Sequence, residues 1–251
     1  MNPPRFLLAI DCATLPASVA GVSDDGVRAQ IVHDDQRRSD AWIGSAVAQC
    51  LEAAERRLAD VDGLAVSVGP GTFTGIRVGI ATALGLAAPG GLPIAGINTL
   101  EALADIGLRR APRVVACIDA RRDQVYAAIY EGRDVANPRL PAPTWGPAVC
   151  SPAEVTAALA AGHARRQGDR PGSPDGGNLL AIGSGARLLA APAELEVEIA
   201  PTPLAAAIGR LAIGGWPRDL PEPTGWRPAE PLYLRPPDAK PPRNPLLAAP
   251  D

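Results

Sequence analysis

Short apolar runs broken by Gly, Pro or charged clusters alternate in this chain with longer segments whose apolar positions recur every three or four residues. That alternation predicts an α/β protein. Phe6–Asp11 (FLLAID) reads as a buried strand ending on a carboxylate. Ser18–Val22 and Val27–Val32, joined across Asp24-Asp25-Gly26, read as two more strands of a meander. Ser39 or Asp40 can cap a helix running to about Asp60, since Trp42, Ile43, Ala46, Val47, Cys50, Leu51, Ala54 and Leu58 fall at helical spacing. Leu64–Val68 predicts a strand that enters a Gly-rich turn, Gly69–Gly75, with a helix from there to about Ala87. Leu92–Ile97 reads as strand and Leu100–Leu108 as helix.

The pattern then starts again. Val114–Asp119 (VVACID) repeats the form of FLLAID, and Val125–Tyr130 supplies the next strand. Asn137–Pro147 reads as a Pro-rich loop, Ser151-Pro152 opens a short helix with Pro at its first position, and His163–Asn178 reads as a polar linker. Leu179–Ala190 is again strand, Gly-x-Gly turn and helix. The strand-end carboxylates precede their Gly turns by similar distances, 58 residues from Asp11 to Gly69 and 64 from Asp119 to Gly183. Two passes through one pattern predict a duplicated α/β lobe, with an N-terminal lobe over residues 1–110 and a C-terminal one over 111–235. A helix at about Pro203–Ile213 and a Pro-rich tail from Pro217 complete the chain, and disorder is expected over 236–251.

Composition narrows the function. Aromatics make up only 4% of the 251 residues, so Ala, Leu, Val and Ile must fill the core. The net charge is −3, and the Arg pairs (37-38, 56-57, 109-110, 121-122, 165-166) are scattered among acids. A protein that grips nucleic acid alone usually carries a basic surplus, so contact with RNA is expected to be indirect. Four cysteines (Cys12, Cys50, Cys117, Cys150) lie far apart with no CxxC pair, which fits a reducing cytoplasm and neither zinc nor a disulfide framework. The uncharged stretch between Arg77 and Glu101 is broken by Pro89, Gly90, Gly91 and Pro93, so no membrane segment is expected.

Gly69–Gly75 could present backbone N–H groups to a phosphate. It matches neither the Walker loop, since Ile76 and Arg77 follow Gly75, nor the dinucleotide fingerprint. In the helix that follows, Ile76, Ile80 and Leu84 form one column and Gly75, Gly79, Ala83 and Ala87 a small-residue column beside it. Only Arg77 and Thr82 are polar between Ile76 and Ala88. A helix apolar almost all round is covered on more than one side. Periodicity fits equally a cover from its own neighbour, Asp40–Asp60, and a face that both helices offer to a second chain.

Val66–Ala87 (VSVGPGTFTGIRVGIATALGLA) closely resembles the signature of the TsaB family, in which Ser is more usual at the Thr72 position. Leu8–Thr14 (LAIDCAT), Ile118–Tyr130 (IDARRDQVYAAIY) and Pro231–Lys240 (PLYLRPPDAK) agree with it, whereas RRSDAWIG lacks the His-Ser often found at that helix entry. The resemblance implies two actin-like or sugar-kinase-like (ribonuclease H-like) lobes of mixed sheets with flanking helices. It implies a non-catalytic scaffold or activator role beside a TsaD-like catalytic subunit. That complex places threonylcarbamoyl on the adenosine next to the anticodon of ANN-decoding tRNAs, with a TsaE-like ATPase also present. It further implies a helical-bundle interface carried by Trp42, Ala46, Cys50, Ile76, Gly79, Ile80, Ala83 and Leu84, able also to pair two copies of the chain.

TsaD-like subunits hold a metal with a His-x-x-x-His pair, whereas this chain has only His33 and His163. No metal or cofactor of its own is therefore expected, ATP and metal being left to partner subunits, and no Gly-x-Ser-x-Gly elbow supports a peptidase. Asp11, Thr14, Gly69, Gly71, Thr72 and Asp119 form a candidate vestigial nucleotide site. The competing reading is a small actin-like-fold ATPase or kinase that uses those residues itself, although Leu15–Ala17 offers no Lys or Gly-rich hairpin for phosphate.

Overall fold

The computed structural model describes residues 5–34, 39–132, 140–167, 178–189, 195–198, 203–216 and 227–235. Ten strands form two five-stranded mixed sheets. The first holds β1 (Phe6–Asp11), β2 (Ala17–Ser23), β3 (Gly26–His33), β4 (Gly63–Gly69) and β5 (Ile94–Asn98) in the order β3-β2-β1-β4-β5. The second holds β6 (Arg113–Arg121), β7 (Gln124–Glu131), β8 (Trp145–Cys150), β9 (Leu179–Ile182) and β10 (Leu195–Glu198) in the order β8-β7-β6-β9-β10. β1 and β6 play the same part. Each pairs antiparallel with the strand after it and parallel with the fourth strand of its own lobe. This is the duplicated lobe expected from the two FLLAID-like strands, and the two sheets fall on either side of residue 110.

Alternation along the strands sorts side chains into three buried layers. Leu8 and Ile10 of β1, with Leu64 and Val66 of β4, face outward beneath α1 (Ser39–Ala53) and α2 (Phe73–Ala87). Leu7 and Ala9 face inward, toward α3 (Thr99–Gly107) and α5 (Ala205–Gly214). Val114, Ala116 and Ile118 of β6 meet the same two helices from the other side. Val115 and Cys117 face α4 (Pro152–Gln167) on the far surface. The helix ending the first lobe, α3, packs mainly on the second sheet, and α5, ending the second, packs mainly on the first. Each lobe thus lends its last helix to the other. Between them the Asp105 carboxylate, buried on α3, accepts from the Arg210 guanidinium of α5 at 2.7 Å and from Arg109 at 3.3 Å.

Several boundaries differ from the pattern reading. The first helix stops at Ala53, short of Asp60. Glu55 turns left-handed (φ 54°) and the Arg56 N–H reaches back to the Leu51 carbonyl, closing the helix end. Residues 58–60 form only a single 3₁₀ turn, held by Arg57 and Asp60. Trp145–Pro147, expected in a loop, begins strand β8, and the first part of the expected linker, from His163, continues α4 to Gln167. After β9 the expected helix shrinks to one 3₁₀ turn, Ala186–Leu188, and Leu189 is already extended. Strand β10 carried too short an apolar signal to be read. The tail 236–251 lies outside the described residues.

Asp105→Asn is expected to lower unfolding stability by about 1.5–3 kcal/mol, the range for a hydrogen bond to a charged group, as read by urea titration. The more exposed Arg109→Ala should cost less than about 1 kcal/mol.

Candidate functional site

Asp11 lies at the end of β1 and is wholly buried. Its Oδ1 accepts from the Ser67 hydroxyl (2.6 Å) and the Ala13 N–H (2.9 Å), and its Oδ2 from the Thr14 hydroxyl (2.5 Å). Burial pushes its pKa above the usual carboxylate value, with the bonds from Ser67, Thr14 and Ala13 pulling the other way. The Gly-rich turn closes straight onto this strand end. A Cβ on Gly75 would stand 1.8 Å from the Cys12 carbonyl oxygen, and one on Gly71 2.3 Å from that of Ala13. The N–H of Thr72 donates to the Ala13 carbonyl (2.8 Å), that of Gly75 to the Thr72 hydroxyl, and that of Ile76 to the Thr72 carbonyl. At the start of α2 the N–H groups of Thr72, Gly75 and Ile76 are therefore engaged by the chain itself.

The second lobe closes in the same way. Gly69 and Gly183 leave their strands with nearly the same left-handed φ, 110° and 109°, and Gly185 backs onto Ile118 and Asp119 as Gly75 backs onto Cys12. Asp119 accepts from the Arg121 N–H (2.7 Å), while its own N–H donates to the Ser184 hydroxyl (3.1 Å). The structure thus brings Asp11, Thr14, Gly71 and Thr72 together around Ala13. Gly69 sits just behind them, beneath the Leu232 carbonyl. Asp119 is engaged in the other lobe.

His33 stacks on Trp42 at 4.7 Å, and no three His, Cys, Asp or Glu converge among the described residues. Nor is any helix there long and apolar enough to cross a membrane. All four cysteines are buried, and burial pushes the thiols of Cys12 and Cys117 to about 12 and that of Cys50 to about 11.

The helix pair corrects the sequence assignment of the interface. Ala46, Cys50, Ile76, Gly79, Ile80 and Ala83 all point into the first lobe's own core, and Trp42 is half-buried against it. They cannot line a docking surface, because the sheet beneath already covers them. Of the eight, Leu84 alone is exposed, at 53%. Around it the outward side of α2 carries Ala81 and Gly85, and α1 beside it turns Gly44, Ser45 and Ala48 to solvent. A Cβ on Gly44 or Gly85 would meet nothing within 4 Å, so nothing in this chain requires those glycines to be small. Sequence periodicity locates a helix's apolar stripe; on a helix apolar almost all round it cannot say which side the sheet takes. At the start of α2, exposed Phe73 (41%) lies against Tyr233 and beneath the Arg77 guanidinium. Tyr233 belongs to an extended strap, residues 227–235, whose Leu232 N–H donates to the Val68 carbonyl.

Because the folded pKa of Asp11 is raised, its contribution to stability is fully present below pH 4 and is lost as pH rises through the folded value. Asp11→Asn, which can keep all three hydrogen bonds, is therefore expected to be at least as stable as the parent at pH 7. The parent should gain on it as the pH falls. Asp11→Ala leaves buried donors unpaired and should cost about 1–3 kcal/mol. Thermal unfolding of the three proteins from pH 4 to 8 reads both effects.

Comparison with known proteins places this geometry. Residues 26–176 match the family model described as TsaD, tRNA N6-adenosine threonylcarbamoyltransferase. The chain is 40% identical over 127 residues to the tRNA threonylcarbamoyladenosine biosynthesis protein TsaB of Escherichia coli, covering 50% of this chain and 54% of that one. It thus spans about half the length of that relative. An uncharacterized protein of Mycobacterium tuberculosis is 34% identical over 94% of both chains. Among solved structures, YeaZ from Pseudomonas aeruginosa superposes with a TM-score of 0.70 at 28% identity, over 92% of this chain and all of that one. The chain belongs to the TsaD family and, within it, stands with the TsaB proteins.

Proposed function

We propose that this chain takes part in forming threonylcarbamoyladenosine in tRNA, as a non-catalytic subunit that docks on and activates a TsaD-like enzyme. The observation that carries the reading is the outward face of α1 and α2. There Gly44, Ser45, Ala48, Ala81, Leu84 and Gly85 lie exposed, small or apolar, on helices whose other sides are already packed. Small side chains let helix backbones approach closely, and Leu84 supplies an apolar anchor for a four-helix arrangement with a partner pair. ATP and metal are assigned to the partner subunits and to a TsaE-like ATPase in the same complex. The same face would pair two copies of the chain when no partner is present.

The competing ATPase or kinase reading has less support. It needs a phosphate beside Asp11, where the turn Gly69–Gly75 and the segment Cys12–Ala13 are in mutual contact.

Leu84→Glu is the direct test, since Leu84 is exposed and its replacement leaves the core alone. The variant should melt like the parent but fail to co-elute with the same organism's TsaD. Threonylcarbamoyl transfer to tRNA by the reconstituted complex should fall about tenfold or more, as expected when a charge enters an apolar interface centre. A variant that co-elutes and activates as the parent does would overturn the interface. Transfer that proceeds equally well without the chain would overturn the role.

A further inference from the structure

We propose that the β6–β7 turn, with Arg187 beside it, forms a contact site for the phosphate backbone of tRNA. This rests on the preceding reading that the chain works in a tRNA-modifying complex. The fold gathers here four arginines that are scattered in the sequence. Arg121 and Arg122 stand in the turn itself, Arg187 on the 3₁₀ turn after β9, and Arg235 at the end of the strap. Among the described residues the acids beside them are Asp119 and Asp123, on a chain whose net charge is −3.

Asp119 lies within ion-pair reach of Arg121 and Arg187 without hydrogen-bonding either guanidinium. Its Oδ1 is taken by the Arg121 N–H, and the guanidiniums of Arg121 and Arg187 stand 3.8 Å and 3.6 Å from Oδ2, too far for hydrogen bonds. Their N–H forks remain available, and these two side chains are 77% and 57% exposed. Arg235 acts differently. Its guanidinium donates to the Ala120 carbonyl (2.8 Å) and to the Gln124 side chain, bracing the turn from below. It is a positioning residue, and through the strap it fixes the turn relative to the first lobe and the docking helices.

The backbone of the turn points the same way. Arg121, Arg122 and Asp123 are consecutive left-handed residues (φ 63°, 55° and 56°), and a register shift before Arg121 re-aims it. A two-residue hairpin with positive φ at both positions favours Asn and Gly. Here two arginines and an aspartate occupy the strained positions, and strain of this kind gathers at functional sites. Guanidiniums this exposed suit an extended polyanion better than a small nucleotide that must be surrounded.

The test is binding of an unmodified ANN-decoding tRNA transcript to the complex of this chain with TsaD, titrated at several salt concentrations. The double variant R121N/R187Q removes the two exposed charges, and Asn adopts left-handed φ readily, so its melting temperature should not fall. Its affinity should drop about tenfold at moderate salt, and the slope of log affinity against log salt should become shallower by roughly 2. Binding with unchanged affinity and slope, in a complex that still forms, would overturn this proposal alone. So would a loss of affinity that leaves the slope untouched. A parent chain that does not join TsaD would overturn the reading beneath it as well.

Discussion

The structure depends on one shared layer. Two sheets each have an inner face that must be kept from water, and among the described residues α3 and α5 are the helices that lie between them. Because each lobe sends its last helix across to the other sheet, neither inner face is covered by its own lobe alone. Ala9, Ala20, Ala65 and Ala95 keep the first sheet's inner surface shallow, so a chain poor in aromatics still packs closely there. The Asp105–Arg210 pair sits inside this layer. Its carboxylate is buried and its guanidinium partly solvated, which keeps the desolvation cost on one partner.

That layer frees the outer surface of the first sheet for another purpose. α1 and α2 pack through their inward sides, and their outward sides carry a small or apolar patch, Gly44, Ser45, Ala48, Ala81, Leu84 and Gly85, flanked by exposed Gln49, Glu52 and Arg77. The strand-end carboxylate has followed the opposite course. Asp11 keeps the position from which an actin-like fold could address a nucleotide, but Ser67, Thr14 and Ala13 absorb its hydrogen-bonding capacity. A group so satisfied ties the Gly turn to β1.

The strap 227–235 links the parts. It hydrogen-bonds along the edge of β5 through Gly96 and over β4 through Val68, stacks Tyr233 on Phe73 at the start of α2, and ends with Arg235 beneath the β6–β7 turn. One extended segment thus touches α2 and the β6–β7 turn, on different lobes. Their relative placement is set by backbone bonds as well as by the core between the sheets.

The sequence by itself determined the strands with a clear period of two, the long helices, the duplication and the family. Those signals are local or carried in one contiguous motif, GPGTFTGIRVGIATALGLA. It left the short elements unread: β8 behind its prolines, β10 with four residues, and the helix end at Ala53, where a left-handed Glu55 stands in place of the usual glycine. Tertiary structure alone decided which side of α2 is covered. Ile80 and Leu84 share one column, yet one is core and the other surface, because the buried stripe runs Ile76, Ile80, Ala83, Ala87 and Leu84 is rotated off it. It alone brought Arg187 and Arg235 to Arg121, since charges far apart in a chain become neighbours only when strand order puts them there.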